Sequence, residues 1–169
     1  MPSHAQELAL QPLTVEDAAA LFRWRTNPVV SRYLPSAPPP LEDFAQWINE
    51  SASGERWTLR GIALDGQLIG YVSTEQVDPI ARMAQVGILI GKPNLWGRGF
   101  ARRALVLLLN HAFQIRGLQG VTALIASENE RSIRLFESAG FALEGVREER
   151  SPIDGTRTDL LRYVLSRSE

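Results

Sequence analysis

The run Val86-Gly-Ile-Leu-Ile-Gly-Lys-Pro-Asn-Leu-Trp-Gly-Arg-Gly-Phe-Ala101 sets an apolar, strand-like segment ahead of two closely spaced glycines, Gly97 and Gly99, and then a helix-forming stretch. The first turn of a helix carries unpaired amides at the positive end of its dipole. Glycine lets an anion approach those amides closely. The chemistry that suits this spacing is a cradle for a diphosphate, with Arg98 or Arg102 at hand for a further phosphate. Two other phosphate loops do not fit. A P-loop needs a Gly-Lys-[Ser/Thr] ending, which is missing. The dinucleotide fingerprint needs a third glycine where Gly97-x-Gly99-x-x-Arg102 has arginine, and six residues stand between the strand and Gly97. For the glycine pair taken alone, a plain turn leading into a helix is the alternative.

Composition narrows the chemistry further. Cysteine is absent, which removes disulfides, thiolate metal sites and a cysteine nucleophile. His4 and His111 are the only histidines, too few for a histidine-built site, and no metal is expected. A net charge of −1 supplies no basic field for nucleic acid. The longest apolar run, Ala104–Leu109, stops at Asn110 and His111, far short of the roughly 18 residues that span a bilayer. No membrane association is expected. No signal peptide is visible, and a cytoplasmic location is the simplest reading.

The elements that must position the glycine run follow from periodicity. Glu7–Leu10 alternates as a strand. Thr14 to Asp17 has the form of a capping box before a helix over Val15–Arg25, which Asn27-Pro28 ends. Val29–Leu34 is a short helical piece, Pro35–Pro40 a loop, and Leu41–Ser51 a second main helix with Phe44, Trp47 and Ile48 on one face. Arg56–Leu64 and Gln67–Val77 are strands joined by the hairpin signal Asp65-Gly66, and Ala84–Ile90 is the next strand. A helix over Arg102–Arg116, a buried strand over Val121–Ser127 and a helix over Asn129–Ala139 follow, the last with Asn129 as N-cap and Gly140 as C-cap. Phe141–Arg150 and Thr158–Ser166 close the chain as strands. The length of 169 residues suits one domain, and the alternation suits an α/β fold, a mixed sheet with helices on both faces.

In this setting the glycine run resembles the coenzyme A loop of the GNAT N-acetyltransferase family. The family pattern, Arg/Gln-x-x-Gly-x-Gly/Ala after a bulged central strand, maps onto Trp96-Gly97-Arg98-Gly99-Phe100-Ala101, with Trp96 departing from the usual first residue. The Trp-Gly-x-Gly-x-Ala form looks like the RimJ/RimL-type branch, which acetylates protein N-termini and other amines. Ala126–Phe141 resembles that branch's Asn-x-x-Ser…Gly-Phe segment. Glu144-Gly145, Asp154-Gly155 and Trp24-Arg25-x-Asn27-Pro28 also fall where the branch often has them. The resemblance spans nearly the whole chain.

It implies a GNAT fold, with a mixed sheet of about seven strands and a splayed coenzyme-binding strand pair. It implies acetyl-CoA as acetyl donor and direct transfer to a primary amine. The acceptor it suggests is a protein N-terminal α-amine. A small-molecule amine (aminoglycoside, amino sugar, polyamine or amino acid) and a non-catalytic acyl-CoA sensor are the alternatives. Family members are often homodimers.

Carried over residue by residue, Leu89 and Ile90 would bond the pantetheine arm through their backbone. Trp96, Gly97, Arg98, Gly99, Phe100 and Ala101 would hold the pyrophosphate, and Asn129 would meet the pantetheine. The tyrosine that many members use as general acid is Phe136 here, so that role passes to Ser132. The fifth-strand glutamate of some members is Leu124. The branch's base position falls near Ser151, and Glu149, on the same strand face, is the candidate base, with Glu75 as another. Trp24 and Tyr33, with Trp47 and Trp57, are candidates for an acceptor pocket, against a plain core role. Arg23-Trp24-Arg25 would attract an acidic acceptor or form a solvated helix face.

Overall fold

In the computed structural model, residues 4–34, 36–52, 57–150 and 154–168 are described. Pro35, Arg56 and Ser151, each named above, lie outside them. Strand β1 (Leu8–Pro12) leads into Thr14, whose amide donates to Asp17 Oδ2 at 2.8 Å. This local bond holds Val15–Asp17 as a 3-10 turn, so the expected single helix over Val15–Arg25 is in fact that turn followed by α1 (Ala18–Thr26). Asn27 then caps the short α2 (Pro28–Ser31): its side-chain oxygen accepts from the Val29 amide at 3.0 Å, and Pro28 occupies the first turn, where its missing N–H costs nothing. Helix α3 (Leu41–Ser51) has its expected bounds.

Strands β2 (Trp57–Leu64) and β3 (Gln67–Asp78) form the hairpin, and positive φ angles at Asp65 (49°) and Gly66 (80°) make the turn. Next come β4 (Met83–Ile90), a 3-10 turn at Pro93–Leu95 and α4 (Phe100–Asn110). The expected helix to Arg116 stops early, and its last turn, His111–Ile115, is wound as a π-helix. Strand β5 (Gly120–Ala126), α5 (Glu130–Ser138), β6 (Ala142–Arg150) and β7 (Arg157–Ser166) complete the order.

All seven strands join one sheet in the order β1-β2-β3-β4-β5-β7-β6. Neighbours are antiparallel except β4 and β5, which run parallel. Consecutive residues of a strand face opposite sides of the sheet, and the two cores divide accordingly. Val72 and Ile90 belong to the core under α4 and α5, with Phe100, Leu105, Leu108 and Phe136. Tyr71 and Leu89, each one residue earlier, belong to the core under α1 and α3, with Leu21, Trp24, Phe44 and Ile48. The sheet is thereby covered on both faces, and the α1–α2 segment is brought beside the middle of β3 and β4.

Candidate active site

The site begins as a defect in the sheet. Parallel pairing between β4 and β5 covers only Met83–Gly120, Ala84–Val121 and Gln85–Thr122. Beyond Gln85 the strands part, and a cleft of about 1170 Å³ opens between Val86–Ile90 and Ala123–Ala126. Backbone alternation decides which groups of β4 face it. The Gly91 amide donates to the Ile69 carbonyl at 2.8 Å, and the Leu89 carbonyl lies against Gly70. At this end of β4 the odd-numbered residues therefore turn their peptide groups toward β3, and Ile88 and Ile90 turn theirs toward the cleft. This corrects the expectation for Leu89, whose backbone is directed to β3 and whose side chain fills the α1–α3 core. The residue missed is Ile88. The Ile90 carbonyl is also engaged, accepting from Trp96 Nε1 at 2.8 Å.

That indole bond is what Trp96 contributes: it ties the glycine loop to the end of β4. Gly97 (φ 72°) and Gly99 (φ 84°) take left-handed conformations that side chains disfavour, and Gly99 is the N-cap of α4. A Cβ built at either glycine meets no atom within 4 Å, and both glycines line the cleft. The first bond back to the cap runs from the Arg103 amide to the Gly99 carbonyl at 3.1 Å, so the amides of Phe100, Ala101 and Arg102 have no helical partner. An open, amide-rich cradle at a helix N-terminus fits a diphosphate. The Phe100 side chain is buried core and contributes only its amide. Arg98 does not line the cleft, and its guanidinium lies 5.2 Å from the Phe100 ring. Near the glycine loop the cations on the cleft wall are Arg102, Arg131 and Arg134, and Arg131 stands 4.6 Å over the Trp96 ring.

On the β5 side, Asn129 caps α5, its side-chain oxygen accepting from the Ser132 amide at 3.2 Å. Asn129 and Ser132 both line the cleft. Phe136, also on that wall, packs edge-on to Phe141 at 4.9 Å and offers no proton.

The other end of the cleft is bounded by α1, α2 and β3. Tyr33, Trp47, Tyr71, Ser73 and Glu75 line it together with Arg25 and Arg32. Tyr71, Ser73 and Glu75 alternate along β3 and so share a face. Trp24 does not line the cleft: its ring lies flat on Gly91, where a Cβ would come within 2.1 Å of Cδ2, and it belongs to the core. Glu149 is not brought to the cleft either. It sits on β6, which β7 separates from β5, and its carboxylate pairs with Arg147 Nε at 2.6 Å. The carboxylates on the cleft wall are Glu75, Glu128 and Glu130. Among the described residues, no group of three or more His, Asp or Glu is arranged to hold a metal ion.

A strand pair that opens beside an amide-rich glycine loop defines the class of protein. The family model for the acetyltransferase (GNAT) domain matches residues 7–142, and the chain belongs to the GNAT N-acetyltransferase family. An uncharacterized N-acetyltransferase, p20 of Bacillus licheniformis, is 27% identical, with 98% of this chain and 96% of that protein covered. The spermidine N(1)-acetyltransferase of Escherichia coli K12 is 28% identical, covering 98% of this chain and 88% of that one. Among solved structures, the spermidine N-acetyltransferase of Vibrio cholerae in complex with CoA and spermine superimposes with a TM-score of 0.85 at 25% identity, over 94% of this chain and 95% of that one.

Proposed function

We propose that this N-acetyltransferase moves the acetyl group of acetyl-CoA to a primary amine of a small molecule. The observation that carries the reading is the continuity of one cleft, from the open cradle at Gly97–Arg102, along the unpaired edge of β4, to the Glu75 carboxylate. Relatives that act on spermidine, by their names, and cover nearly the whole chain favour a small amine over a protein N-terminus. Bound acetyl-CoA supplies the acetyl group as a thioester, whose carbon–sulfur bond breaks as the carbon–nitrogen bond forms.

In this reading the chain's own residues meet three needs. The amides of Gly97–Arg102 hold the diphosphate, with Arg102 and Arg131 beside it for further phosphate charge. The peptide groups of Ile88 and the Ile90 amide align the pantetheine arm as an added strand would, and the Asn129 amide nitrogen donates to it. An alkylamine with a pKa of about 10, or an α-amine near about 8, is mostly protonated at neutral pH. Glu75, directly or through a water, takes that proton. Ser132 Oγ hydrogen-bonds the departing sulfur at the start of α5, in place of the tyrosine that Phe136 replaces.

The test is thiol release from acetyl-CoA across a panel of polyamines, amino acids, amino sugars and N-terminal peptides. Turnover with a small amine above that with peptides is expected. Coenzyme A binding without turnover on any amine would instead indicate an acyl-CoA sensor and overturn the reading.

A further inference from the structure

We infer that the acceptor amine carries a carboxylate, recognised by Tyr71 and Arg32 with the charge of Arg25 behind them. The inference rests on the small-amine reading above and names its substrate class. It starts from Arg25, a residue only 8% exposed. Its Nη1 donates to Tyr71 Oη at 3.3 Å, and its Nη2 donates to Ser36 Oγ at 3.0 Å and the Ser36 carbonyl at 3.1 Å. Its Nε is buried without a partner. Among the described residues no carboxylate forms an ion pair with it. A buried arginine without a counter-ion is unfavourable, because the charge has lost its water and gained no opposite charge. An anionic ligand would supply one.

The hydrogen bonds say how contact is made. Arginine has no acceptor atom, so in its bond with Arg25 the Tyr71 oxygen is the acceptor, and the phenol keeps its proton for another partner. Tyr71 lines the cleft. Arg32 lines the same end, exposed, with its guanidinium 5.1 Å over the Tyr33 ring and no ion pair among the described residues. Glu75 stands further along β3 on the face that Tyr71 shares. This end of the cleft therefore pairs one carboxylate with two arginines, a complement to a molecule that bears both an ammonium and a carboxylate. A polyamine needs carboxylates along its length. Of the others, Glu128 and Glu130 lie on the cleft wall at the start of α5, and Asp43 and Glu50 line a side pocket of about 490 Å³ that shares Arg25, Ser36 and Trp47 with the cleft.

The test compares free amino acids, each beside its own α-amide, with spermidine, using thiol release from acetyl-CoA. Hydrogen bonds to a charged group predict kcat/KM at least about tenfold higher for the best acid than for its amide, although the amide's amine is the less basic of the two. Calorimetry should show the N-acetylated acid binding at least about tenfold more tightly than its amide. Arg32→Glu, a change at an exposed side chain, should bring the acid-to-amide ratio toward one. Amides or spermidine turned over as fast as the acids, or a ratio that Arg32→Glu does not move, would overturn the inference while leaving the small-amine reading in place. Transfer to none of the amino acids would overturn the inference, and transfer to no amine of the wider panel, amino sugars included, would remove the small-amine reading as well.

Discussion

Gly99→Glu separates the two reasons for a glycine at the helix mouth. The first is backbone strain. Gly99 sits at φ 84°, and an L-residue there costs roughly 1–2 kcal/mol. No atom lies within 4 Å of a built Cβ, so no clash adds to that cost. Gly66, in the β2–β3 hairpin, has nearly the same geometry, φ 80° and nothing within 4 Å, and does not line the cleft. Gly66→Glu is therefore the matched control for strain. The second reason is charge. Two unit negative charges about 4 Å apart repel by about 4 kcal/mol at an effective dielectric of about 20. Gly99 is exposed, and solvent screening that leaves half of this gives about 2 kcal/mol, or about a 30-fold loss of affinity. Both variants should melt a few degrees lower, by about 2–8 °C. Only Gly99→Glu should weaken calorimetric binding of coenzyme A, by about 30-fold or more. Equal affinity for the two variants would refute the cradle assignment, and a loss in both would mean that strain alone explains it.

Other outcomes follow from the cleft and its surroundings. Glu75→Gln should lower kcat/KM by about a hundredfold or more; an unaltered kcat/KM would exclude Glu75 as base. Ser132→Ala should reduce kcat roughly tenfold with little change in the amine KM, since the hydroxyl acts on the sulfur; identical kinetics would remove Ser132 from the chemistry. Burial first, then the charges of Arg60 and Arg116, lowers the His111 pKa below its ordinary 6.5. The unfolded chain therefore binds that proton more readily, so His111's contribution is fully present above about pH 6.5 and is lost as pH falls toward the folded-state value. His111→Gln should flatten the fall in urea-measured stability between about pH 7 and pH 5, and an unchanged slope would contradict the assignment.

The sequence made legible what depends on local chemistry. The Asn129 cap, the Asp65-Gly66 hairpin and the strand–loop–helix order are set by residues a few positions apart, and the structure has each of them. What it did not expose depends on partners distant in the chain. Trp24 reads equally as pocket wall or core until Gly91 is seen beneath its ring. Glu149 reads as a free carboxylate until β7 is found between its strand and β5. Leu89 and Ile88 are alike in composition, and only the phase of strand pairing, fixed by the Gly91 amide on Ile69, tells which one turns its peptide groups to the cleft. The early end of α4 and the π turn at His111–Ile115 likewise left no mark in the apolar periodicity.

The most direct measurement is a crystal structure of the protein with coenzyme A. The diphosphate is expected on the amides of Gly97–Arg102, with the pantetheine hydrogen-bonded to Ile88 and Ile90 and its sulfur between Ser132 and Glu75. Coenzyme A bound anywhere else, or a pantetheine that pairs with Leu89 instead, would contradict the assignment of this cleft.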